Sequence, residues 1–166
     1  MIIRNESEAD YEAISEVTKA AFETLELSEH TEQFIIKALR NAQALTISLV
    51  AEINGRVVGH IAFSPVTISD GSTGWYGLGP VSVLPEFQKQ GIGGALIQEG
   101  FKLLKELKAK GCALVGHPNY YKRFGFINTS RLYYEGIPQE YFLVIYFEEN
   151  NASGKVQFHP GFDAKA

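Results

Sequence analysis

A strand, a glycine-rich loop and a helix follow one another in the middle of this chain, and this succession constrains the fold more than any other feature. The residue pattern predicts a strand over Tyr76–Leu84. Apolar residues at helical spacing follow over about 94–110, and Cys112–Val115 is a short apolar run after them. Because two parallel strands need a crossover connection, the succession predicts a strand–helix–strand unit of an α/β protein.

The remaining segments add helices and antiparallel strands around that unit. Apolar spacing predicts a first helix to about Phe22 and a second over Glu29–Arg40. Asn54 and Gly55 join two runs rich in β-branched residues and predict a tight hairpin, because both turn residues must reach positive φ. The last clear strand is Tyr141–Phe147. We therefore expect an α/β (α+β) fold with a single mixed central sheet of about six to seven strands flanked by helices.

Length and composition exclude several classes of protein. The 166 residues fit one domain, which we place at residues 1–147, with 148–166 as a C-terminal tail docked on it. A net charge of −4 does not favour a nucleic-acid partner. Cys112 is the single cysteine and the 4 histidines lack ligand spacing, so we expect no disulfide and no metal site. Without a leader-like start or an apolar run near the roughly 20 residues of a membrane span, we expect a cytoplasmic protein with no membrane partner.

The glycines of the central loop have a chemical interpretation. Gly91, Gly93 and Gly94 lie where the loop becomes a helix, and free N–H groups at a helix start attract phosphate. A dinucleotide-binding fingerprint would need a glycine where Leu96 stands, and a P-loop would need a lysine where Ala95 stands. The structural alternative is a glycine turn that allows the strand and the helix to pack closely.

Two motifs, in the right order and spacing, resemble those of the GNAT superfamily of N-acetyltransferases. The segment Gln88–Gly93 reads Gln-x-x-Gly-x-Gly after a strand and resembles the acyl-CoA loop of that family. The preceding Val81–Pro85 resembles its bulged central strand, and Tyr120–Phe126 resembles a second signature with a tyrosine four residues before Gly-Phe. The resemblance covers about Ile2–Phe147 and implies the GNAT-like acyl-CoA N-acyltransferase fold.

The resemblance also implies a site for acetyl-CoA as co-substrate. The loop backbone would hold the pyrophosphate, and its residues are Gln88, Lys89, Gln90, Gly91, Ile92, Gly93 and Gly94. The strand segment of Val81, Ser82 and Val83 would pair with the pantetheine arm through its main chain. The N–H of Val83 would point at the thioester oxygen as an oxyanion donor.

Proton transfer needs an acid and a base. The resemblance implies that Tyr121 protonates the leaving thiolate, which suits a phenol of pKa ~10; an aromatic plug in the core is the structural alternative. Many family members place a Glu on the central strand as base, where this chain offers Ser82. His117 and His60 are the candidates for the base, because an imidazole of pKa ~6.5 accepts protons near neutral pH. A neutral amine or ordered water would also serve.

These motifs together predict an enzyme that transfers acetyl from acetyl-CoA to a primary amine of a small molecule or peptide by direct attack. The partners are then acetyl-CoA and an amine acceptor, with a homodimer kept as a candidate assembly. A non-catalytic acyl-CoA-binding or regulatory module is the second hypothesis, favoured by the missing strand Glu. A nucleotide-binding protein with the same glycine turn is the third. No segment of the sequence carries a readable code for the acceptor.

Overall fold

The structure, a computed structural model, describes residues 1–26 and 28–166 and has a mixed α/β architecture. Its helices are α1 (Tyr11–Phe22), α2 (Glu32–Asn41), α3 (Ile92–Glu106) and the single turn α4 (Pro118–Tyr121). Its strands are β1 (Ile2–Asn5), β2 (Ile47–Ile53), β3 (Arg56–Pro65), β4 (Thr67–Ile68), β5 (Trp75–Val83), β6 (Gly111–Val115), β7 (Leu132–Tyr133), β8 (Phe142–Tyr146) and β9 (Gly154–Gln157).

The central sheet has six strands in the order β1-β2-β3-β5-β6-β8. All neighbours are antiparallel except β5 and β6, which the α3 crossover joins in parallel. The β2–β3 turn has Asn54 at φ 50° and Gly55 at φ 79°, as a two-residue hairpin requires. The α/β fold, the mixed sheet and the hairpin predicted from the sequence are confirmed.

Helices cover both faces of this sheet. On one face α3 approaches β3 closely, since a Cβ on Gly100 would lie 2.3 Å from the ring of Phe63. On the other face α1 and α2 bury Ile14 and Ile36 against Val50 of β2. The strands that border the crossover therefore have an α3 face and an α1 face, and this division decides which side chains can meet.

The predicted helix limits shift by a few residues. The second helix begins at Glu32 rather than Glu29, and the Ser28 hydroxyl bonds the Glu32 carboxylate at 2.7 Å. The crossover helix begins at Ile92 and ends at Glu106, before the expected 110. Its end follows from the left-handed backbone of Lys108 (φ 61°), which a helix cannot continue through.

A second, smaller sheet was not predicted from the sequence. It has the order β4-β9-β7, and its middle strand β9 belongs to the segment that follows residue 147. After β9, Phe158 lies against the backbone of Gly77, where an added Cβ would be 2.8 Å from its ring. Strands β4 and β7 are two residues long, too short to show the alternation by which strands are predicted.

Candidate active site

A cleft of about 620 Å³ opens where β5 and β6 diverge. Among residues 1–26 and 28–166 these strands pair only from Trp75–Gly77 to Gly111–Ala113, so the last residues of β5 have no strand partner there on that side. The strand and the loop after it contribute Val81, Val83, Phe87, Gln88 and Lys89 to the lining. The end of α1 and the turn after it contribute Ala21, Phe22 and Leu25. The cleft thus receives side chains from both faces of the sheet.

The main chain of Val83 is directed into this opening. The N–H of Leu84 donates to the carbonyl of Val58 on β3 at 2.9 Å, and Val83 is the residue opposite Gly59. Because successive backbone groups of a strand point to opposite edges, the N–H and carbonyl of Val83 face away from β3. The side-chain amide of Gln88 donates to that carbonyl at 3.0 Å, which leaves the N–H as the free donor of the pair.

The glycines at the start of α3 have different structural roles. Gly91 is the helix N-cap at φ 84°, and an added Cβ would meet nothing within 4 Å, so its requirement is the left-handed backbone. A Cβ on Gly93 would lie 2.8 Å from the hydroxyl of Tyr120, and one on Gly94 would lie 3.1 Å from the ring of Phe124. Close packing therefore explains Gly93 and Gly94, while Gly91 shapes the open loop.

Positive charge surrounds this helix start. The first N–H groups of α3 point outward with the positive end of the helix dipole. Lys89 and Arg123 line the cleft beside them, and the guanidinium of Arg123 lies 4.5 Å over the ring of Tyr120. A helix N-terminus that shares a cleft with two cations is suited to a phosphate-bearing ligand.

Tyr121 lines the cleft from α4. Its ring packs on the backbone of Gly116, where a Cβ would lie 2.5 Å from the ring, and edge-to-face on Tyr120 at 4.9 Å between centroids. Burial, with a smaller contribution from Tyr120, raises the pKa of the Tyr121 phenol well above its usual range. The hydroxyl therefore stays protonated at neutral pH and can act only as a proton donor there.

Other residues singled out from the sequence lie outside the cleft lining. His117 is an exposed residue that caps α4, and its carbonyl accepts the N–H of Tyr121 at 3.2 Å. His60 is fully buried on the α1 face of β3, and burial lowers its pKa to about 4. Ser82 is also buried on that face, because its side chain points opposite to those of Val81 and Val83. The loop residues Gln90 and Gly94 are adjacent to the lining without belonging to it.

The sequence reasoning missed several lining residues. Arg123 lies inside the Tyr120–Phe126 motif, and a cation between aromatic residues was the available signal. Phe22 and Leu25 were treated as helix and loop residues, and no local pattern indicates that the end of α1 reaches the opening between β5 and β6.

The described residues contain neither a metal-binding cluster nor a membrane-spanning helix. Among residues 1–26 and 28–166, no group of three or more His, Cys, Asp or Glu side chains could hold a metal ion. Within that part of the chain, no helix is long and apolar enough to cross a bilayer.

Comparison with known proteins agrees with this geometry. A family model described as an acetyltransferase (GNAT) domain matches residues 44–128. A relative described as the uncharacterized N-acetyltransferase YhbS of Escherichia coli K12 is 33% identical over 127 residues, which are 76% of this chain and 73% of YhbS.

Two solved structures share the whole fold. A GNAT family acetyltransferase from Brucella melitensis, in complex with acetyl-CoA, is 48% identical with a TM-score of 0.87. That match covers 98% of this chain and 97% of the Brucella chain. YhbS from Escherichia coli, in complex with CoA, is 28% identical with a TM-score of 0.90 and covers 99% and 93% of the two chains.

One cleft combines two diverging parallel strands, a helix with a glycine N-cap and a protonated tyrosine. This combination is that of an acyltransferase of the N-acetyltransferase type. The chain belongs to the GNAT family of acetyltransferases. The resemblance and the enzyme class predicted from the sequence motifs are thereby confirmed.

Proposed function

We propose that this protein transfers an acetyl group from acetyl-CoA to a primary amine of a small molecule or peptide by direct attack. The observation that carries the proposal is the N–H of Val83 in the opening between β5 and β6, in one cleft with the N-terminus of α3 and with Tyr121. The Brucella relative and YhbS were solved with acetyl-CoA and CoA, which supports the same ligand here.

The proposed ligand has a polyanionic end and a thioester end. The loop of residues 88–94 and the cations Lys89 and Arg123 receive the phosphates at the positive end of α3. The pantetheine arm extends β5 as an added strand along Val81–Val83. The N–H of Val83 then donates to the thioester oxygen and stabilises the oxyanion that forms there.

The reaction forms a C–N bond and breaks the C–S bond. Tyr121 lines the cleft with a neutral phenol and donates its proton to the leaving thiolate, although burial makes this phenol a weaker acid than a free tyrosine. The amine must lose a proton, and His60 and His117 stay the candidates for that step. Neither lines the cleft, so each would act through an intervening group.

We also propose a domain organisation and a cellular location for the protein. Residues 1–147 form the acetyltransferase domain, and the tail is docked on it through β9 and Phe158. The reaction takes place in the cytoplasm, since a polyanionic thioester does not cross membranes unaided. A homodimer is the assembly to be tested by sedimentation.

Calorimetric titration with acetyl-CoA and ATP tests the binding half of the proposal. Acetyl-CoA is expected to bind, and Gly91→Ala to weaken binding about tenfold, because the free loop of the variant relaxes from the left-handed backbone and binding must restore it at a cost of about 1–2 kcal/mol. Gly71→Ala is the matched control, since Gly71 has nearly the same φ (85°), is equally open and lies in another loop. No binding of acetyl-CoA, or equal affinity for ATP, would overturn the proposal. Binding without turnover on any amine would favour the non-catalytic module.

A further inference from the structure

A line of polar side chains, buried at its centre and half-buried at Glu6 and Arg40, crosses the α1 face of the sheet beside the cleft. The Ser48 hydroxyl lies 2.5 Å from Oε1 of Glu6 and 2.7 Å from Nε2 of His60. The guanidinium of Arg40 holds the same carboxylate through bonds of 2.8 and 2.9 Å. His60 is opposite Ser82 in the pairing of β3 with β5, so the line reaches the strand that borders the cleft.

The direction of these hydrogen bonds fixes the protonation of His60. Burial disfavours a charged Glu6, but the hydrogen bonds from Arg40 and Ser48 outweigh it and lower the pKa of the Glu6 carboxyl. Glu6 is therefore a carboxylate and can only accept hydrogen bonds. The single hydroxyl proton of Ser48 therefore goes to Glu6, and Ser48 must accept from Nε2–H of His60. The Nδ1 atom of His60 is then an unprotonated acceptor on the remaining side of the ring.

That acceptor and a neighbouring donor are both without partners. His60 Nδ1 and Ser82 Oγ have no hydrogen-bond partner among the described residues, although His60 is 0% and Ser82 is 2% exposed. The two residues face each other in the strand register, on the same side of the sheet. Buried polar atoms are almost always paired, so an unpartnered acceptor opposite an unpartnered hydroxyl points to a hydrogen bond that the two side chains form with each other during function.

The line connects two different environments. Ser82 lies between Val81 and Val83, which both line the cleft. Its side chain is on the face of the sheet that α1 covers, and Phe22 of α1 reaches the cleft from that face. At the other end, Glu6, Arg40 and Ser48 line a separate surface depression of about 390 Å³. A proton that enters at Ser82 can therefore leave to solvent at Glu6.

We propose that Ser82, His60, Ser48 and Glu6 form the path by which the proton of the attacking amine leaves the active site. The inference rests on the proposed acetyl transfer and adds the route that its base step requires. The amine proton reaches the oxygen of Ser82 through a solvent molecule, because Ser82 does not itself line the cleft, while a turn of the Ser82 side chain toward the ring brings its own proton to Nδ1 of His60. The Nε2 proton then moves to Ser48, the Ser48 proton to Glu6, and Glu6 releases one proton to solvent. His60, Ser48 and Glu6 act through Ser82 and do not contact the substrate.

The charges around His60 favour passing a proton through the imidazole over holding it there as an imidazolium. Burial and the cation of Arg40 disfavour the imidazolium, and Glu6 is the charged group that opposes them. Ser48 and Val50 face the ring from β2, Ser82 faces it from β5, and α1 presents Ile14 on this side. With a pKa of about 4, His60 is neutral at pH 7, and its protonated form is populated only about one part in a thousand.

Steady-state kinetics of four variants test the path. Ser82→Ala and Ser48→Ala are each expected to lower kcat about 10- to 100-fold with the KM for acetyl-CoA unchanged. The loss should be smaller for acceptor amines of low pKa, and added imidazole should restore part of it for Ser82→Ala. His60→Gln should behave like Ser48→Ala. Ser64→Ala is the matched control, because Ser64 is a buried, unpartnered serine on β3 outside the line, and it should keep wild-type kcat.

The outcomes separate the two proposals. A kcat for Ser82→Ala and Ser48→Ala equal to that of Ser64→Ala, in an enzyme that acetylates amines, overturns the path and leaves the acetyl transfer intact. Equal loss for all amines, without rescue by imidazole, also overturns it, since that pattern indicates a purely structural role. Absence of turnover in the wild type overturns both. A variant that does not bind acetyl-CoA in calorimetry has not folded. The kcat of the other serine variant then tests the path.

Discussion

The side-chain amide of Gln88 donates a hydrogen bond of 3.0 Å to the backbone carbonyl of Val83. The bond ties the glycine loop to the end of β5 and occupies the carbonyl on the edge that no other strand pairs. It therefore fixes the direction of the adjacent N–H, which the proposed mechanism uses as an oxyanion donor. One glutamine thus links the phosphate end of the cleft to its reactive end.

Replacing Gln88 by Met removes this donor and keeps the length of the side chain. We expect Gln88→Met to raise the KM for acetyl-CoA about 3- to 10-fold, since a hydrogen bond of this kind is worth about 1 kcal/mol. Initial rates at varied acetyl-CoA measure the effect. Gln98→Met, on the exposed side of α3, is the control. An unchanged KM for Gln88→Met would show that the bond does not organise the site.

Tyr121→Phe tests the proposed acid. We expect kcat to fall by about 10²–10⁴ with the KM for acetyl-CoA unchanged, because the ring still packs on Gly116 while the proton donor is lost. Tyr133→Phe, in β7 of the second sheet, should keep wild-type kcat. Because burial raises the pKa of Tyr121, the wild-type rate should not fall through loss of this proton below pH 10. A Tyr121→Phe enzyme with wild-type kcat would remove Tyr121 from the mechanism.

The pH dependence of stability should show the burial of His60. Its pKa is lowered in the folded protein to about 4, so between pH 6.5 and 4 the unfolded chain binds a proton that the folded chain does not. Stability therefore falls as the pH falls through that range. Urea unfolding should show the wild type losing about 3 kcal/mol more than His60→Gln between pH 7 and 4. Parallel pH curves for the two proteins would contradict a buried, neutral imidazole.

Asp10 anchors the first strand to the start of α1. Its carboxylate accepts from Arg4 at 2.7 and 3.0 Å and from the N–H of Ser7 at 2.7 Å, and the hydrogen bond from Arg4 is the main cause of its lowered pKa. A lowered carboxyl pKa stabilises the fold above pH ~4, and that contribution is lost as the pH falls.

Asp10→Asn should therefore destabilise the protein by about 1–3 kcal/mol at pH 7, a range reduced because Arg4 is partly exposed. The difference from the wild type should narrow below pH 4. Urea unfolding at several pH values measures it, with the exposed Glu12→Gln as control. A constant difference down to pH 2 would show that the ion pair is not its source.

Local chemistry accounts for the parts of the fold that the sequence predicts. The hairpin at Asn54 and Gly55 needs two positive φ values, and the crossover unit needs a strand, a loop and a helix in order; both are short-range signals. Strand β9 carried no such signal, because its partners β4 and β7 are two residues long. Most lining residues of the cleft belong to the motifs around Gln88 and Tyr121, which could be found because each motif is a short continuous segment.

The rest of the site depends on contacts between distant segments. Glu6 and Ser48 are separated by 42 residues and meet only because β1, β2 and β3 are neighbours in the sheet. The register that places His60 opposite Ser82 includes a bulge between Ile61 and Phe63, which no residue pattern revealed. Likewise, Phe22 reaches the cleft through the packing of α1 on β5, which sequence periodicity does not specify.

Acetyl transfer itself is the most direct test of the central claim. Thiol release from acetyl-CoA is followed with and without each member of a panel of primary amines, and the product is identified by its mass. The account predicts thiol release that depends on the amine, matches the acetylated product mole for mole and falls at least a hundredfold in Tyr121→Phe. Thiol release independent of every amine, with no acetylated product, would contradict it.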